Sequence, residues 1–372
     1  MSDSSKTPPS PSTPLFNEHP RSFEHNRFVY PVVSRRSNGI SVGVNLNPDK
    51  ICNFDCIYCQ VDRISTSETK FVGIEQLLLE LDQMLGLVAS GELFEHPRFC
   101  ETPVALRRLN DIAFSGDGEP TTYRDFDEIV AACADVKRRH KLDDVKMVLI
   151  TNASMFHRPV VERGLAILDA NQGDIWAKLE AGTDEYYHLV ERTTIPFRRI
   201  LDNIAAAARI RPLVIQSLFM RIAGDPPSPA ELAAFCDRLN EITTAGGRLK
   251  LVQIYTVARR PAESSVTPLA NDEVERGAEF IDEGGGFDEA GFALAAAVDL
   301  AIDAVEVADF VGVEIHADRD AATPPAEHRV DEPVVLEEPG VVGVKLVGGH
   351  GGRGAGSREQ GARSTETWPI PS

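Results

Sequence analysis

Ser41-Val-Gly-Val-Asn-Leu-Asn-Pro-Asp-Lys-Ile-Cys52-Asn-Phe-Asp-Cys56-Ile-Tyr-Cys59 decides the reading of this chain. It opens on a short, β-branched run at 41–46, which predicts a strand. Directly after it stand three cysteines in a C-x3-C-x2-C array. Thiolates are the usual protein ligands of iron–sulfur clusters, and three of them hold three corners of a cubane. The fourth iron is then left open to a small molecule. A structural zinc site instead uses four protein ligands, commonly paired C-x2-C units or Cys/His sets. The sequence offers no such second pair, and zinc stands as the alternative to a cluster. The other three of the six cysteines are dispersed at 100, 133 and 236. Cys133 and Cys236 sit on apolar helical stripes and read as buried hydrophobes. With Cys100 they make no second close array, so a single cluster is expected.

Outward from this stretch, strand-like and helix-like segments alternate. Ile74, Leu77, Leu78, Leu81, Met84, Leu85 and Val88 follow helical spacing. Strands are predicted at 111–115, 146–151, 174–179, 213–219 and 249–257. Between them lie helical stretches, one carrying Phe126, Ile129, Val130, Cys133 and Val136, another spanning 158–170. A third covers 184–210, and a fourth carries Leu232, Phe235, Cys236, Leu239 and Ile242. Near-continuous apolar strands separated by helices predict a parallel sheet covered by helices. Six βα units fit an incomplete (β/α)6 barrel; a doubly wound open sheet shares the same linear pattern.

At 372 residues the chain is long enough for one large α/β domain. Three regions are expected: a Ser/Pro-rich, disordered lead-in at 1–28, a core at 29–275, and an acidic, Gly/Ala-rich extension at 276–372, largely disordered. The formal charge of −19 is unevenly spread. Residues 262–372 carry 23 acidic and 7 basic side chains, whereas 1–261 carry 34 and 31. The core is nearly neutral, so net charge excludes neither nucleic acid nor a small anion as substrate. No apolar run approaches the ~20 residues of a membrane span, and the N-terminus lacks the layout of a secretory signal. A cytoplasmic protein with no membrane partner is the expectation.

In a barrel, polar residues at the carboxyl ends of strands line the active site. Asn152, Lys178, Glu180, Gln216 and Gln253 are nominated in this way. Lys178 and Glu180 are alternate residues and share a face. Arg35 and Arg36 suit a phosphate or carboxylate, or simply a solvated face.

The triplet, with Tyr58 just before its last cysteine, resembles the signature of the radical S-adenosylmethionine (SAM) superfamily. Ser115-Gly116-Asp117-Gly118-Glu119-Pro120 follows the second predicted strand. There the superfamily carries a glycine-rich, acid-terminated loop that contacts the SAM amino group. The runs Pro31-Val-Val-Ser-Arg-Arg36 and Gly43-Val-Asn-Leu-Asn-Pro48 resemble an uncharacterised branch related to wybutosine-type tRNA-modifying enzymes. Thr151-Asn-Ala153, the run from Trp176 to Thr183, and Gln253-Ile-Tyr255 are similar too, so the resemblance covers about 29–275. It implies a partial TIM-like (β/α)6 barrel, one 4Fe-4S cluster on Cys52, Cys56 and Cys59, and bound SAM. It also implies cofactor contacts at Tyr58, Gly116, Asp117, Gly118, Glu119, Asn152, Lys178 and Glu180. The implied activity is reductive cleavage of SAM to a 5′-deoxyadenosyl radical that takes hydrogen from a substrate. That substrate is a tRNA, a protein or a small molecule, and the electron donor a flavodoxin or ferredoxin. An iron–sulfur electron-transfer protein without SAM chemistry and a zinc-stabilised binding module are the competing classes.

Overall fold

A computed structural model describes residues 21–34, 39–63 and 65–281, and the backbone of 282–284, 293–298 and 311–312. Arg35 and Arg36, like 1–20 and 313–372, lie outside the described residues. The chain opens with an antiparallel pair, β1 (Val29–Ser34) and β2 (Gly39–Val44), in register from Val29↔Val44 to Ser34↔Gly39. Helix α1 (Ile74–Ser90) follows, then β3 (Leu109–Phe114), α2 (Phe126–Arg139), β4 (Lys146–Thr151) and α3 (Pro159–Asp169). Next come β5 (Gly173–Lys178), α4 (Asp184–Glu191), α5 (Phe197–Ile210), β6 (Leu213–Leu218) and the short β7 (Arg221–Ile222). The described part ends with α6 (Pro229–Thr244), β8 (Leu249–Tyr255), β9 (Val266–Thr267), α7 (Asn271–Gly284), β10 (Ala293–Val298) and β11 (Val311–Gly312).

Nine strands form one sheet in the order β1-β2-β3-β4-β5-β6-β8-β10-β11; β7 and β9 pair separately. From β2 to β10 every neighbour is parallel, and only the two edge pairings are antiparallel. This is the α/β, partial-barrel fold class expected from the alternation, and all six predicted strands are present. Among the described residues the sheet does not close, since β1 and β11 lie at opposite ends of the order. The period of two sorts the strand side chains. Val42, Val44, Ile112, Phe114, Met147 and Leu149 enter the helix-covered core, while Ser41, Gly43, Asp111, Ala113, Val148 and Ile150 line a cavity on the other face.

Three features depart from the sequence reading. The helical stretch at 184–210 is two helices, because Arg192 adopts a left-handed φ of 46° and Pro196 stands at the start of α5. The described part of the 1–28 lead-in is packed: Phe23 and Phe28 are buried. At the other end, α7 crosses the expected boundary at 275, and β10 adds a parallel strand beside β8. The acidic extension therefore contributes to the sheet, though its composition favours solvent. No helix of the described residues is long and apolar enough to cross a membrane.

Glu80 explains how the lead-in is held. It interrupts the apolar stripe of α1 yet is almost fully buried. Its carboxylate accepts from the backbone N–H groups of Arg27, Phe28 and Val29 at 2.8–3.1 Å, and from Gln76 Nε2 at 3.1 Å. Replacing it leaves buried donors without an acceptor. Glu80→Ala is expected to cost about 3 kcal/mol, read as a lower urea midpoint at unchanged slope; a midpoint equal to that of the parent chain would refute this account.

Candidate functional site

The cysteine loop leaves the carboxyl end of β2 and is fastened on every side. Asp55 N–H donates to Glu191 O at 3.0 Å and Ile57 N–H to Val190 O at 2.9 Å, tying the loop to the end of α4. Thr193 Oγ1 donates to Asn53 O, and Asn152 Nδ2 to Asn53 Oδ1 at 2.9 Å. On the far side Glu263 N–H reaches Ile57 O at 3.1 Å. Ile57 and Tyr58 join Val190, Leu218, Met220, Tyr255, Val257 and Val266 in a second apolar cluster. None of these contacts uses a thiol.

Cys52, Cys56 and Cys59 are each partly exposed and all line the same cavity of about 340 Å³. Burial raises the Cys52 thiol above its ordinary range. It raises Cys56 further, helped by the neighbouring Glu191 carboxyl, to which Cys56 Sγ donates at 2.7 Å. Among the described residues no three His, Cys, Asp or Glu side chains are gathered tightly enough for one metal ion. A cubane makes a different demand, since its irons are separate corners and each takes one thiolate. Three soft donors facing one cavity suit that ligand set. Cys100, Cys133 and Cys236 do not line the cavity; Cys133 is fully buried on α2, where its thiol is pushed up to about 12.

The 115–120 loop lies against the cysteine loop at the carboxyl end of β3. Neither of its glycines has positive φ, so turn geometry is not their reason. A Cβ on Gly116 would stand 2.2 Å from Asn45 Oδ1, and one on Gly118 2.3 Å from Ile51 O. Glycine is required because the two loops touch. Asn45 seals the contact: its Oδ1 accepts from Asp117 N–H at 3.1 Å and its Nδ2 donates to Asp117 Oδ2 at 2.7 Å. Arg21 Nη1 takes the other oxygen of Asp117 at 2.7 Å.

Glu119, expected to contact a ligand amino group, lines the cavity and is also held by protein donors. It is buried and accepts from Thr121 N–H, Thr121 Oγ1, Thr151 Oγ1 and Asn152 N–H at 2.5–3.1 Å. Burial raises its pKa despite these donors. Asn152 likewise spends its side chain on Asn53, Ser154 N–H and Ser154 Oγ. Both residues touch the cavity wall while acting to hold its frame.

Lys178 faces the cavity from β5. Its ammonium lies 2.8 Å from Glu180 Oε1 and donates to Tyr255 Oη at 2.9 Å. The rings of Tyr58 and Tyr255 lie 4.9 and 5.5 Å from it. Burial would lower the Lys178 pKa, but Glu180 and Tyr255 together hold it above the ordinary lysine value. Tyr58 Oη donates to Glu180 Oε1 at 2.9 Å. Glu180 itself sits behind the wall, as does Gln253, which accepts from the cavity-lining Gln216 at 3.0 Å. Glu191 is buried beside Glu180 and Cys56, and burial with the Glu180 charge raises its carboxyl well above the usual range.

The sequence reading brings Tyr58, Gly116, Asp117, Gly118, Glu119, Asn152, Lys178 and the three cysteines to one cavity. It misses Arg21, Asn45, Arg63, Glu191 and Tyr255. Glu191 is 135 residues from Cys56 and Arg21 is 96 from Asp117, separations at which no local pattern operates. Asn45 lay in view, inside the quoted Gly43–Pro48 run, without an assigned role.

No known family's sequence profile matches the chain. GTPase Obg of Brachyspira hyodysenteriae is 23% identical over 263 residues, 69% of this chain and 33% of that protein. The chain thus spans about a third of that relative's length. A UPF0026 protein of Helicobacter pylori (strain J99) is 25% identical over 248 residues, 66% of this chain and 70% of that protein. Among solved structures, Streptococcus suis SuiB bound to S-adenosylmethionine is similar at a TM-score of 0.48 and 13% identity, covering 72% of this chain and 52% of SuiB. Archaeal TYW1 is similar at 0.41 and 14%, covering 70% and 74%.

The Lys178–Glu180 pair is nearly enclosed, with side-chain exposures of 19% and 2%. Lys178→Met leaves Glu180 buried beside the Glu191 carboxyl with no cation, at an expected cost of about 3–5 kcal/mol. The double variant Lys178→Met/Glu180→Gln is expected to recover much of that loss. Urea midpoints for the three proteins check it; equal losses in the single and double variants would show that the pair is not coupled.

Proposed function

We propose that this chain is a radical SAM enzyme, holding one 4Fe-4S cluster on Cys52, Cys56 and Cys59 and binding SAM in the same cavity. The observation that carries the reading is the joint placement of the three thiols and the 115–120 loop on one cavity wall, with the two loops in contact at Gly116 and Gly118. The donor chemistry fits: three thiolates leave one iron of a cubane open. When bound and reduced, the cluster supplies one electron to the SAM sulfonium, which breaks to methionine and a 5′-deoxyadenosyl radical that abstracts hydrogen from the substrate.

The chain's own residues do the rest. The backbone of the 115–120 loop, held by Asn45, Arg21 and Glu119, presents a fixed edge to an amino group. Lys178, kept cationic by Glu180, offers a charge to a carboxylate or ribose oxygen. Tyr58, Leu218 and Tyr255 wall the cavity with apolar surface, and water is thereby kept from a reactive species. The similarity to GTPase Obg does not favour nucleotide hydrolysis, because the sequence contains no G-x4-G-K-[ST] phosphate loop.

The test is anaerobic reconstitution with iron and sulfide, then dithionite and SAM, with 5′-deoxyadenosine measured by mass spectrometry. About four iron per chain and product that disappears in each of Cys52→Ala, Cys56→Ala and Cys59→Ala are expected. A cluster without cleavage would move the reading to electron transfer, and one tightly bound zinc with no cluster would overturn it. Within this reading a tRNA substrate is the choice that the branch resemblance favours. Faster 5′-deoxyadenosine formation on adding unmodified tRNA tests that choice.

A further inference from the structure

Arg63 lies four residues beyond Cys59 and turns back into the cysteine loop. Its Nη1 donates to Phe54 O at 2.8 Å and to Asp55 Oδ1 at 3.1 Å, so it grips the stretch between Cys52 and Cys56. Its Nη2 reaches Cys59 Sγ at 3.5 Å. One planar guanidinium thereby spans both halves of the triplet. Its Nε is buried with no hydrogen-bond partner, and the side chain lines the cavity that holds the three thiols. An orphaned buried donor costs free energy unless something fills its place. The backbone contact at Phe54 would satisfy a purely structural staple; the Nη2 contact reaches a thiol of the triplet itself.

Two other arginines share this rim. Arg21 is committed to Asp117. Arg259 Nη1 donates to Gln60 Oε1 at 3.1 Å. The carboxylate paired with Arg63 is Asp55, which is exposed and also lies 3.9 Å from Arg192. Asp55 offsets part of the Arg63 charge, yet the N–H directed at Cys59 is left in place.

Building on the cluster reading above, we propose that Arg63 is a positioning residue that preforms the cysteine loop and, through its N–H toward Cys59 Sγ, raises the reduction potential of the cluster. The physical reason is charge. One-electron reduction adds a negative charge to the cluster and its thiolates, and a fixed cation with a donor on one sulfur stabilises that form more than the oxidised one. Arginine cannot lose its proton in a protein, so the effect persists across the working pH range. A lysine supplies a point charge without the fork, and so replaces only part of it.

The experiment is an EPR-monitored potentiometric titration of the reconstituted protein, without SAM, on the parent chain, Arg63→Gln and Arg63→Lys, with iron counted on each. Arg63→Gln is expected to keep its iron and show a roughly tenfold lower ratio of reduced to oxidised cluster at fixed potential, a midpoint about 59 mV more negative. Arg63→Lys is expected to fall between that and the parent. A midpoint for Arg63→Gln equal to the parent's, at equal iron, overturns the proposal. If Arg63→Gln cannot hold iron, the lysine variant decides: a negative shift supports the proposal and an unshifted midpoint overturns it. A parent chain that takes up no cluster defeats the cluster reading itself, an outcome distinct from either result.

Discussion

The ends of β3 and β4 are joined through one buried carboxylate, and the site is built around that junction. Glu119 receives Thr121 and Thr151 hydroxyls and two backbone N–H groups. Its neighbours on either side are thereby fixed: Gly116 and Gly118 are pressed against Asn45 and Ile51, and Asn152 is turned toward Asn53. The cysteine loop is thus braced by the 115–120 loop at one end and by the ends of α4 and β8 at the other. A carboxylate can meet this demand because it offers about four acceptor positions. Shortening or neutralising it would leave donors from two strands unmatched. The acid that a sequence pattern marks as a ligand contact also joins two loops.

Charge is then confined to a small part of the cavity. Lys178, Glu180, Tyr58 and Tyr255 form a closed set of contacts, with the ammonium between two aromatic rings and a carboxylate. Such a pair gains little stability over an apolar replacement. What the arrangement does fix is the position of a cation. Burial and the neighbouring Glu180 charge raise the pKa of the adjacent Glu191, so a second charge beside Cys56 is disfavoured.

The fold was legible because βα alternation and apolar periodicity are local properties. Every one of the six strands predicted from runs such as 146–151 and 213–219 is present. The cysteine triplet was legible for the same reason: its three thiols fall within eight residues. What was not legible depends on distance in sequence. Glu191 and Arg21 reach the site only after the sheet is assembled. Arg63 was near enough to notice, but an arginine after a loop carries no directional signal until its fork meets Phe54 O and Cys59 Sγ. The strand β10 was obscured by composition, since an Ala-rich run flanked by acids lacks the β-branched residues that mark its neighbours.

The cavity itself follows from side-chain size on one face of an unclosed sheet. A closed eight-stranded barrel fills its interior with layers of large branched residues and has little room left. Here the inner positions of β2 and β3 are Ser41, Gly43, Asp111 and Ala113, and the volume they do not occupy is the floor of the cavity. Tyr30 on the antiparallel edge strand leans over Gly43, where a Cβ would meet its ring at 2.3 Å, and sets its hydroxyl on Ser115 O at 3.2 Å. Edge strand, glycine and 115–120 loop are therefore coupled in one row. A larger residue at 43 would push Tyr30 outward and loosen Ser115, so the fit of the floor is transmitted directly to the loop that faces the thiols.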